Sequence, residues 1–188
     1  MQLGLFPLPI FLLPNGITTL RIFEPRYVRL VKESMADNRG FVLAMREGDA
    51  ICAYGTLVHI IDFEMLPDGL LGITIQGTSR VQLSDITQQN EDGLWVGEIT
   101  SLPDWPTSEE QSGVLGDALG LLFESHPEHA AQYRQTLNLE SLSWVCQRWL
   151  EILPLANQQR QWFLAQSDLD EAKSFISLLL TQENVELE

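Results

Sequence analysis

The sequence predicts an α+β fold in which a strand-rich first half, interrupted by one helix, precedes a smaller helical half. Alternating apolar residues and a Pro-Asp-Gly turn predict a hairpin over 51–66 and 70–77. An apolar stripe at helical spacing predicts one helix over 24–38. Beyond residue 103, capping signals and further helical stripes replace the alternation, so the chain changes from strands to helices there.

The hairpin is the clearest strand signal. Both alternating faces of 51–65 are largely apolar, which is typical of a strand covered on both sides in a closed or sandwiched sheet. Pro67-Asp68-Gly69 predicts the turn, because Pro fixes φ and Gly allows positive φ. Asp62 and Glu64 share one face beside this turn, and we interpret them as a solvated edge. Further strands are predicted over 3–12, 40–46, 79–86 and 94–102.

The helix of the first half carries a single apolar stripe. Its members recur three or four positions apart: Phe23, Tyr27, Leu30, Val31 and Met35. Pro25 suits the first helical turn, where its missing N–H costs nothing, and Glu24 places negative charge at the positive end of the helix dipole.

The second half predicts four helices. A capping box at Thr107-Ser108-Glu109-Glu110 starts a helix over 108–124, and a stripe beginning at Leu142 is stopped by Pro154. The remaining helices are predicted over 157–166 and 169–181.

Two features of these helices call for a partner surface. Gly113, Gly116 and Gly120 share one helix, which predicts close packing of another backbone or a partner-binding face. Trp144 and Trp149 lie about 140° apart around their helix. One of them is therefore a candidate partner anchor outside the core.

Charge restricts the partners of this chain. Its 188 residues contain 11 Lys and Arg against 26 Asp and Glu, a formal net charge of −15. Such a charge repels phosphate backbones and anionic membrane surfaces, so we expect neither nucleic acid nor membrane as a partner. The net charge is −5 over 1–103 and −10 over 104–188. With Pro103 and Pro106 at the joint, these ranges are predicted to be a strand-rich and a helical subdomain.

The sequence does not contain motifs for catalysis or for a bound cofactor. It has neither a phosphate-binding loop ending in Gly-Lys nor a Gly-x-Gly-x-x-Gly turn. His126 and His129 have no third ligand pattern nearby, and Cys52 and Cys146 are interpreted as buried, reduced thiols. We therefore predict no catalytic residue, no metal and no cofactor. The first 20 residues lack the basic start of an export signal, which favours a cytoplasmic protein.

The most distinctive stretch of the sequence runs from Leu5 to Tyr27. It contains Leu5-Phe6-Pro7-Leu8, Leu13-Pro14-Asn15-Gly16 and Leu20-Arg21-Ile22-Phe23-Glu24-Pro25-Arg26-Tyr27. These runs resemble the amino-terminal domain of the Lon protease family, in the short form found as a free-standing bacterial protein. Weaker agreement continues at Phe41, Gly55-Thr56, Asp68-Gly69, Gly77 with Arg80, and Leu153-Pro154-Leu155.

Two positions depart from the family pattern. Asn15 stands where the family usually has glycine, and because Asn tolerates the left-handed conformation we expect the turn to be kept. Thr18-Thr19-Leu20 replaces the usual Leu-Pro-Leu, which changes the surface chemistry of this loop more than its fold.

The resemblance implies a PUA-like β-barrel with one inserted helix, followed by a small helical bundle. It also implies that the chain ends at Glu188 before the ATPase and peptidase modules of the full protease. The expected function is then non-catalytic recognition of polypeptides. The expected partners are unfolded segments or a Lon-type protease, and the oligomeric state is left open.

The resemblance also supplies candidate contact residues. Apolar loop residues are expected to bind apolar segments of a partner in a groove between the two halves, namely Leu12, Leu13, Pro14 and Ile17. The full candidate set is Leu13, Pro14, Asn15, Phe23, Arg26, Tyr27 and Arg80. For each of them a purely structural role is the competing interpretation. Two other functions stay open: RNA binding through a basic stripe at Arg21, Arg26 and Arg29, and a hydrolase with an unrecognised site.

Overall fold

The computed structural model describes residues 1–106 and 110–185, with side chains as far as Thr181. The strands are β1 (Gln2–Pro7), β2 (Ile17–Ile22), β3 (Phe41–Glu47), β4 (Ala50–Met65), β5 (Leu71–Gln88) and β6 (Trp95–Ser101). The helices are α1 (Pro25–Asp37), α2 (Val114–Ser125), α3 (Pro127–Ala130), α4 (Leu142–Ile152), α5 (Asn157–Ala165) and α6 (Asp170–Val185), with a 3-10 turn at Ala131–Tyr133. The α+β class predicted from the sequence is confirmed.

Contacts divide the chain into two units. The first comprises Met1–Pro103 with Asn157–Ala165, and the second comprises Asp104–Ala156 with Gln166–Glu188. Helix α5 therefore belongs with the strands, whereas the sequence predicts it within the helical subdomain 104–188. The reason is a non-local contact, because the Gln161 amide both donates to and accepts from the backbone of Tyr54 on β4, at 2.9 Å each.

The strands of the first unit follow the order β2-β5-β4-β3-β1-β6, and β6 also pairs with β5. β5 is 18 residues long, and it pairs with β2 along 71–76 and with β6 along 81–88. The pairings of β5, β4, β3, β1 and β6 therefore form a closed ring, because β6 pairs with β5 again. β2 lies outside this ring of pairings, along the first part of β5.

Both faces of this sheet carry a buried cluster. One cluster lies beneath Tyr27, Leu30 and Val31 of α1 and includes Phe6, Leu20, Ile22, Phe41, Leu43, Val58, Ile73 and Ile75. The other consists of Leu3, Leu5, Val42, Ala44, Val81 and Leu83. Neighbouring residues of β1 and of β3 go to opposite clusters, as the two-residue period of a strand requires.

The helical stripe predicted on α1 is shorter than expected. Tyr27, Leu30 and Val31 are buried, but Phe23 precedes the helix and is 66% exposed, and Met35 is 49% exposed. In the third turn the buried residue is Ser34 and not Met35, so the apolar stripe ends at Val31.

Two strand predictions need correction. The predicted strands 70–77 and 79–86 are one strand, because the pairing with β4 skips only Thr78 and continues. Such a one-residue bulge resembles a strand break in a sequence. β2 is not predicted at all, since only Ile17, Leu20 and Ile22 of its six residues are apolar and they do not alternate regularly.

The far end of β4 is also different from the prediction. The sequence indicates cover on both faces of 51–65, yet Ile61, Phe63 and Met65 are 50%, 60% and 72% exposed. The cause is the register with β3, whose pairing with β4 reaches only Val58. Asp62 and Glu64 are exposed beside them, as predicted for a solvated edge.

The second unit is built around α4. Its residues 144–150 are all buried, including both tryptophans, Trp144 and Trp149. The prediction that one tryptophan lies outside the core is wrong, because α4 is covered on more than one side. Trp149 donates from its ring nitrogen to the carbonyl of Leu115 on α2, and Trp144 packs edge-on against the ring of Tyr133.

The glycines of α2 admit a neighbouring segment. A Cβ at Gly116 would lie 2.5 Å from the carbonyl oxygen of Leu139, and one at Gly120 would lie 3.4 Å from the Leu139 side chain. The predicted close packing of another backbone is confirmed at Gly116, whereas Gly113 precedes the helix with φ of 50° and a Cβ there would meet nothing within 4 Å. Helix α2 begins at Val114, and most of the predicted capping box, 107–109, lies outside the described residues.

Candidate functional site

The junction between β2 and α1 brings together three of the seven candidate residues. β2 ends at Ile22, Glu24 keeps an extended backbone with ψ of 135°, and α1 begins at Pro25. In this short connection the ring of Phe23 is left largely exposed. Arg26 and Tyr27 follow in the first turn of the helix, where Tyr27 is buried and Arg26 half-buried.

Phe23 stands at an apolar cavity of about 280 Å³, which we call the Phe23 cavity. β1, the loop after it, β2 and the start of α1 supply its lining: Phe6, Pro7, Leu8, Ile10, Thr19, Leu20, Arg21, Phe23, Glu24 and Tyr27. Its inner wall is fixed by the stacked rings of Phe6 and Tyr27, whose centroids are 3.9 Å apart. This volume is at the lower limit for small-molecule sites, so it suits one or two apolar side chains rather than a cofactor.

A polar cavity of about 510 Å³ adjoins the Phe23 cavity and shares Pro7, Glu24 and Tyr27 with it. Arg26 lines it and is held in place by Glu24 at 2.5 Å and by the Tyr27 ring, whose centroid is 4.9 Å from the guanidinium carbon. Burial raises the pKa of the Tyr27 phenol above its ordinary value, and Arg26 opposes this rise only in part. Tyr27 therefore keeps its proton at neutral pH and remains a donor.

Leu13, Pro14 and Asn15 form a separate feature, a tight turn before β2. Asn15 has φ of 64°, so the left-handed turn expected from its place in the family pattern is kept. Its N–H donates to Gly77, and the Gly77 N–H donates to Gly16, both at 2.9 Å. A Cβ at Gly77 would lie 2.3 Å from the Leu13 carbonyl oxygen, so only glycine fits where this turn crosses β5.

The apolar side chains of this turn face the core. Leu12, Leu13, Pro14 and Ile17 are all buried, and Asn15 alone of the candidate residues here is exposed. The expectation that these apolar side chains present a contact surface is therefore wrong. Their burial follows from the close approach to β5, which a linear sequence does not reveal.

Arg80 is also interior rather than exposed. It lies on β5 opposite Thr56 and is 1% exposed. Its guanidinium donates to the carbonyl of Leu164 on α5 at 3.0 Å and to the carbonyl of Pro103. These contacts give Arg80 a structural part in the first unit, away from the Phe23 cavity.

Sequence reasoning missed several walls of the cavity. The cavity is also lined by Leu8, Ile10, Leu20 and Arg21. The candidate contact set contains none of these four residues. The signal was present for Leu8, Leu20 and Arg21, which belong to the runs that carry the family resemblance. Ile10 carried no signal, because it reaches the cavity only through the path of the loop between β1 and β2.

The proposed basic stripe is neutralised. Arg21 pairs with Asp68, Arg26 with Glu24, and Arg29 with Asp92. The Arg29 guanidinium donates to both oxygens of Asp92 at 2.8 Å, and this hydrogen bonding lowers the pKa of that carboxyl. Each arginine thus faces a carboxylate, which leaves no free cationic stripe here for a phosphate backbone.

The cysteines and histidines do not form a reactive group. Cys52 and Cys146 are both free and buried, and His126 and His129 are exposed with ring centroids 6.0 Å apart. Over residues 1–106 and 110–181, whose side chains the structure describes, no three His, Cys, Asp or Glu side chains are grouped so as to hold a metal ion. In that same part of the chain, none of the helices combines the length and apolar character needed to cross a membrane.

Cys146 gives a pH-dependent prediction. Burial raises the pKa of its thiol to about 12, from an ordinary value of about 8.5. Above about pH 9 the unfolded chain therefore releases this proton while the folded chain keeps it, so the stability falls by up to about 1.4 kcal/mol per pH unit. We expect the wild type to lose free energy of unfolding more steeply than Cys146→Ala between pH 9 and about 12, in urea titrations. Equal slopes would contradict the burial of an uncharged thiol.

The chain is similar to a known protein family and to solved structures. The family model of the ATP-dependent protease La (LON) substrate-binding domain matches residues 2–182. A solved Lon N-terminal domain protein from Xanthomonas campestris has a TM-score of 0.74 and 30% identity, covering 96% of this chain and 98% of that chain. The N-terminal domain of Mycobacterium avium complex Lon protease has a TM-score of 0.68 at 15% identity, over 93% of this chain and 95% of that one, a likeness of fold alone.

Curated relatives match only part of their own length. Lon protease 2 of Herpetosiphon aurantiacus is 28% identical over 199 residues, which cover 97% of this chain and 24% of that protein. Lon protease of Azorhizobium caulinodans is 29% identical over 125 residues, covering 62% of this chain and 14% of that protein. This chain thus spans about a quarter or less of the curated relatives it matches.

Proposed function

We propose a binding function for this chain, which belongs to the ATP-dependent protease La (LON) substrate-binding domain family. It is a non-catalytic module that holds exposed apolar segments of other polypeptides at the Phe23 cavity. It works in the cytoplasm, and its ligand is an unfolded segment or a Lon-type protease.

The observation that carries this proposal is the exposure of Phe23 at the rim of an apolar cavity. A phenylalanine left 66% exposed forgoes much of the roughly 1.5–3 kcal/mol that its burial would contribute. An incoming apolar side chain that enters the cavity would bury its own surface and that of Phe23 together. Aromatic residues beside a pocket are typical anchors of polypeptide interfaces.

The adjoining polar cavity supplies the complementary chemistry. Tyr27 keeps its phenolic proton at the shared wall and Arg26, paired with Glu24, lines the polar cavity, so both can donate to backbone carbonyls of a bound segment. A site with apolar contacts on one side and hydrogen-bond donors for carbonyls on the other would recognise unfolded polypeptides in general rather than one particular sequence. The net charge of −15 adds a preference for segments that carry basic residues.

The test replaces the exposed ring. We expect Phe23→Ser to weaken binding of a permanently unfolded, reduced and carbamidomethylated protein by about tenfold or more, because the apolar contact is lost. The measurement is fluorescence anisotropy with the full chain. Met35→Ser removes an exposed apolar side chain that does not line the cavity, and it serves as the matched control.

Two results would refute the proposal. One is binding by the wild type no tighter than that of an unrelated acidic domain. The other is an equal loss in Phe23→Ser and Met35→Ser, which would mean that general surface hydrophobicity, and not the cavity, holds the ligand.

A further inference from the structure

The far end of β4 has one open edge. β3 pairs with β4 as far as Val58, and among the described residues 1–106 and 110–185 only β5 pairs with β4 from residue 59 to residue 65. An unpaired strand edge offers its N–H and C=O groups to another extended chain.

The hydrogen bonds show which backbone groups face this edge. Phe63 stands opposite Ile73, but its N–H donates to the Asp62 carboxylate at 2.8 Å instead of entering the ladder. At the end of the hairpin the Leu66 N–H donates to the Leu70 carbonyl at 2.8 Å. Because bonded and non-bonded pairs alternate in an antiparallel ladder, Phe63 and Met65 both direct their backbone groups outward.

This edge also exposes apolar side chains. Ile61, Phe63 and Met65 are each at least half exposed. They alternate with Asp62 and Glu64, which are exposed in turn. Proteins usually block an apolar edge with lysine, proline or a covering segment, but here the two carboxylates stand in that place.

The charges decide what can pair with this edge. A second copy that matched the apolar side chains to one another, centred on Phe63, would place Asp62 opposite Glu64 on the same face. Like charges directly opposite one another destabilise a strand pair, and the net charge of −15 adds to the repulsion. A segment with lysine or arginine at alternate positions would instead meet each carboxylate with a cation.

We propose that the β4 edge at 59–65 binds, by strand addition, an extended polypeptide segment in which apolar residues alternate with basic ones. Backbone hydrogen bonds to Met65 and to the Phe63 carbonyl hold the segment, and the Phe63 N–H joins them by leaving the Asp62 carboxylate. Asp62 and Glu64 set its charge pattern. None of these residues lines the Phe23 cavity, so this surface does not depend on the function proposed above.

The experiment uses the full chain and a labelled peptide that alternates valine with lysine. We expect binding by fluorescence anisotropy, and slowed hydrogen exchange at the amides of Phe63 and Met65. A Phe63→Pro variant removes an N–H that is not part of the β5 ladder and should weaken binding by about tenfold or more. The matched control is Met35→Ser, which should bind as the wild type does.

A second variant covers the case in which proline disturbs the hairpin. The double variant Asp62→Asn with Glu64→Gln keeps the side-chain size and the acceptor for the Phe63 N–H. It should also weaken binding of the peptide by about tenfold. A peptide alternating valine with glutamate, and a valine-lysine peptide N-methylated along one edge, should both fail to bind the wild type.

The inference is overturned if the valine-lysine peptide does not bind, or if both variants bind it as the wild type does. It is also overturned if the peptide slows exchange at the Phe23 cavity instead of at β4, or if sedimentation shows self-association that Phe63→Pro abolishes. The unfolded-protein assay depends on Phe23 and the peptide assay on Phe63, so the two claims fail separately.

Discussion

Replacing Arg148 by alanine is expected to lower the free energy of unfolding of the second unit by about 3–5 kcal/mol. Arg148 lies on α4 with 1% of its side chain exposed, and it donates from Nε and Nη2 to the two oxygens of Glu151 at 2.7 and 2.8 Å. The Glu151 side chain is itself only 10% exposed. Removing the guanidinium would leave this carboxylate buried without its principal cation, which is the costly way to break an ion pair.

Packing adds to the effect. The Arg148 guanidinium lies 5.5 Å from the ring centroid of Tyr133 and 5.3 Å from that of Trp144, so alanine would also remove the group that packs over both rings. The double variant Arg148→Met with Glu151→Leu separates the two causes, because it fills the space and removes both charges. We expect this variant to recover most of the lost stability.

Urea unfolding followed by circular dichroism and tryptophan fluorescence measures the change. Arg134→Ala, an exposed arginine of the same unit, is the control and should shift the free energy by less than about 0.5 kcal/mol. A loss below about 1 kcal/mol for Arg148→Ala would mean that Glu151 reaches water or another donor when its partner is removed.

The fold was predictable where its causes are local. α1 follows from a stripe of Tyr27, Leu30 and Val31 and from Pro25 at its start, all within a few turns. The hairpin between β4 and β5 follows from the Pro67-Asp68-Gly69 turn, whose Gly69 N–H donates to Leu66 at 2.8 Å. In such segments the residues that determine the conformation are neighbours in the sequence.

Prediction failed where a distant partner decides. α5 joins the strands through Gln161, whose partner Tyr54 is 107 residues away. The apolar end of β4 is exposed because β3 stops pairing at Val58, and Trp144 is buried because Tyr133 and Phe123 cover it. None of these causes leaves a periodic signal in the element it affects.

The candidate site divides in the same way. Phe23, Arg26 and Tyr27 are close in sequence and remain close in the fold, so a local run was enough to group them. Leu13 and Arg80 belong to the same family pattern but are buried by contacts with β5 and α5. A shared pattern therefore mixes residues that line the two adjoining cavities, the buried Tyr27 among them, with residues that hold the strands, and the packing of each side chain is what separates the two kinds.

Arg80→Ala tests this separation directly. We expect it to lower the free energy of unfolding of the first unit by about 3–5 kcal/mol, because the carbonyls of Leu164 and Pro103 lose a charged donor and a large side chain is removed from the interior. The substitution should accelerate hydrogen exchange in α5 more than in α1, because Arg80 on β5 donates to the Leu164 carbonyl of α5. Arg39→Ala, which removes an exposed arginine paired with Asp37, is the matched control.

The same variant separates a structural role from a binding role. Under conditions where Arg80→Ala stays folded, its affinity for the unfolded protein should equal that of the wild type, since Arg80 does not line the Phe23 cavity. Arg80→Lys should recover only part of the stability, because one ammonium cannot span two carbonyls as the guanidinium does. If Arg80→Ala instead lost binding while its stability changed by less than about 1 kcal/mol, Arg80 would be a contact residue and the burial argument would be wrong.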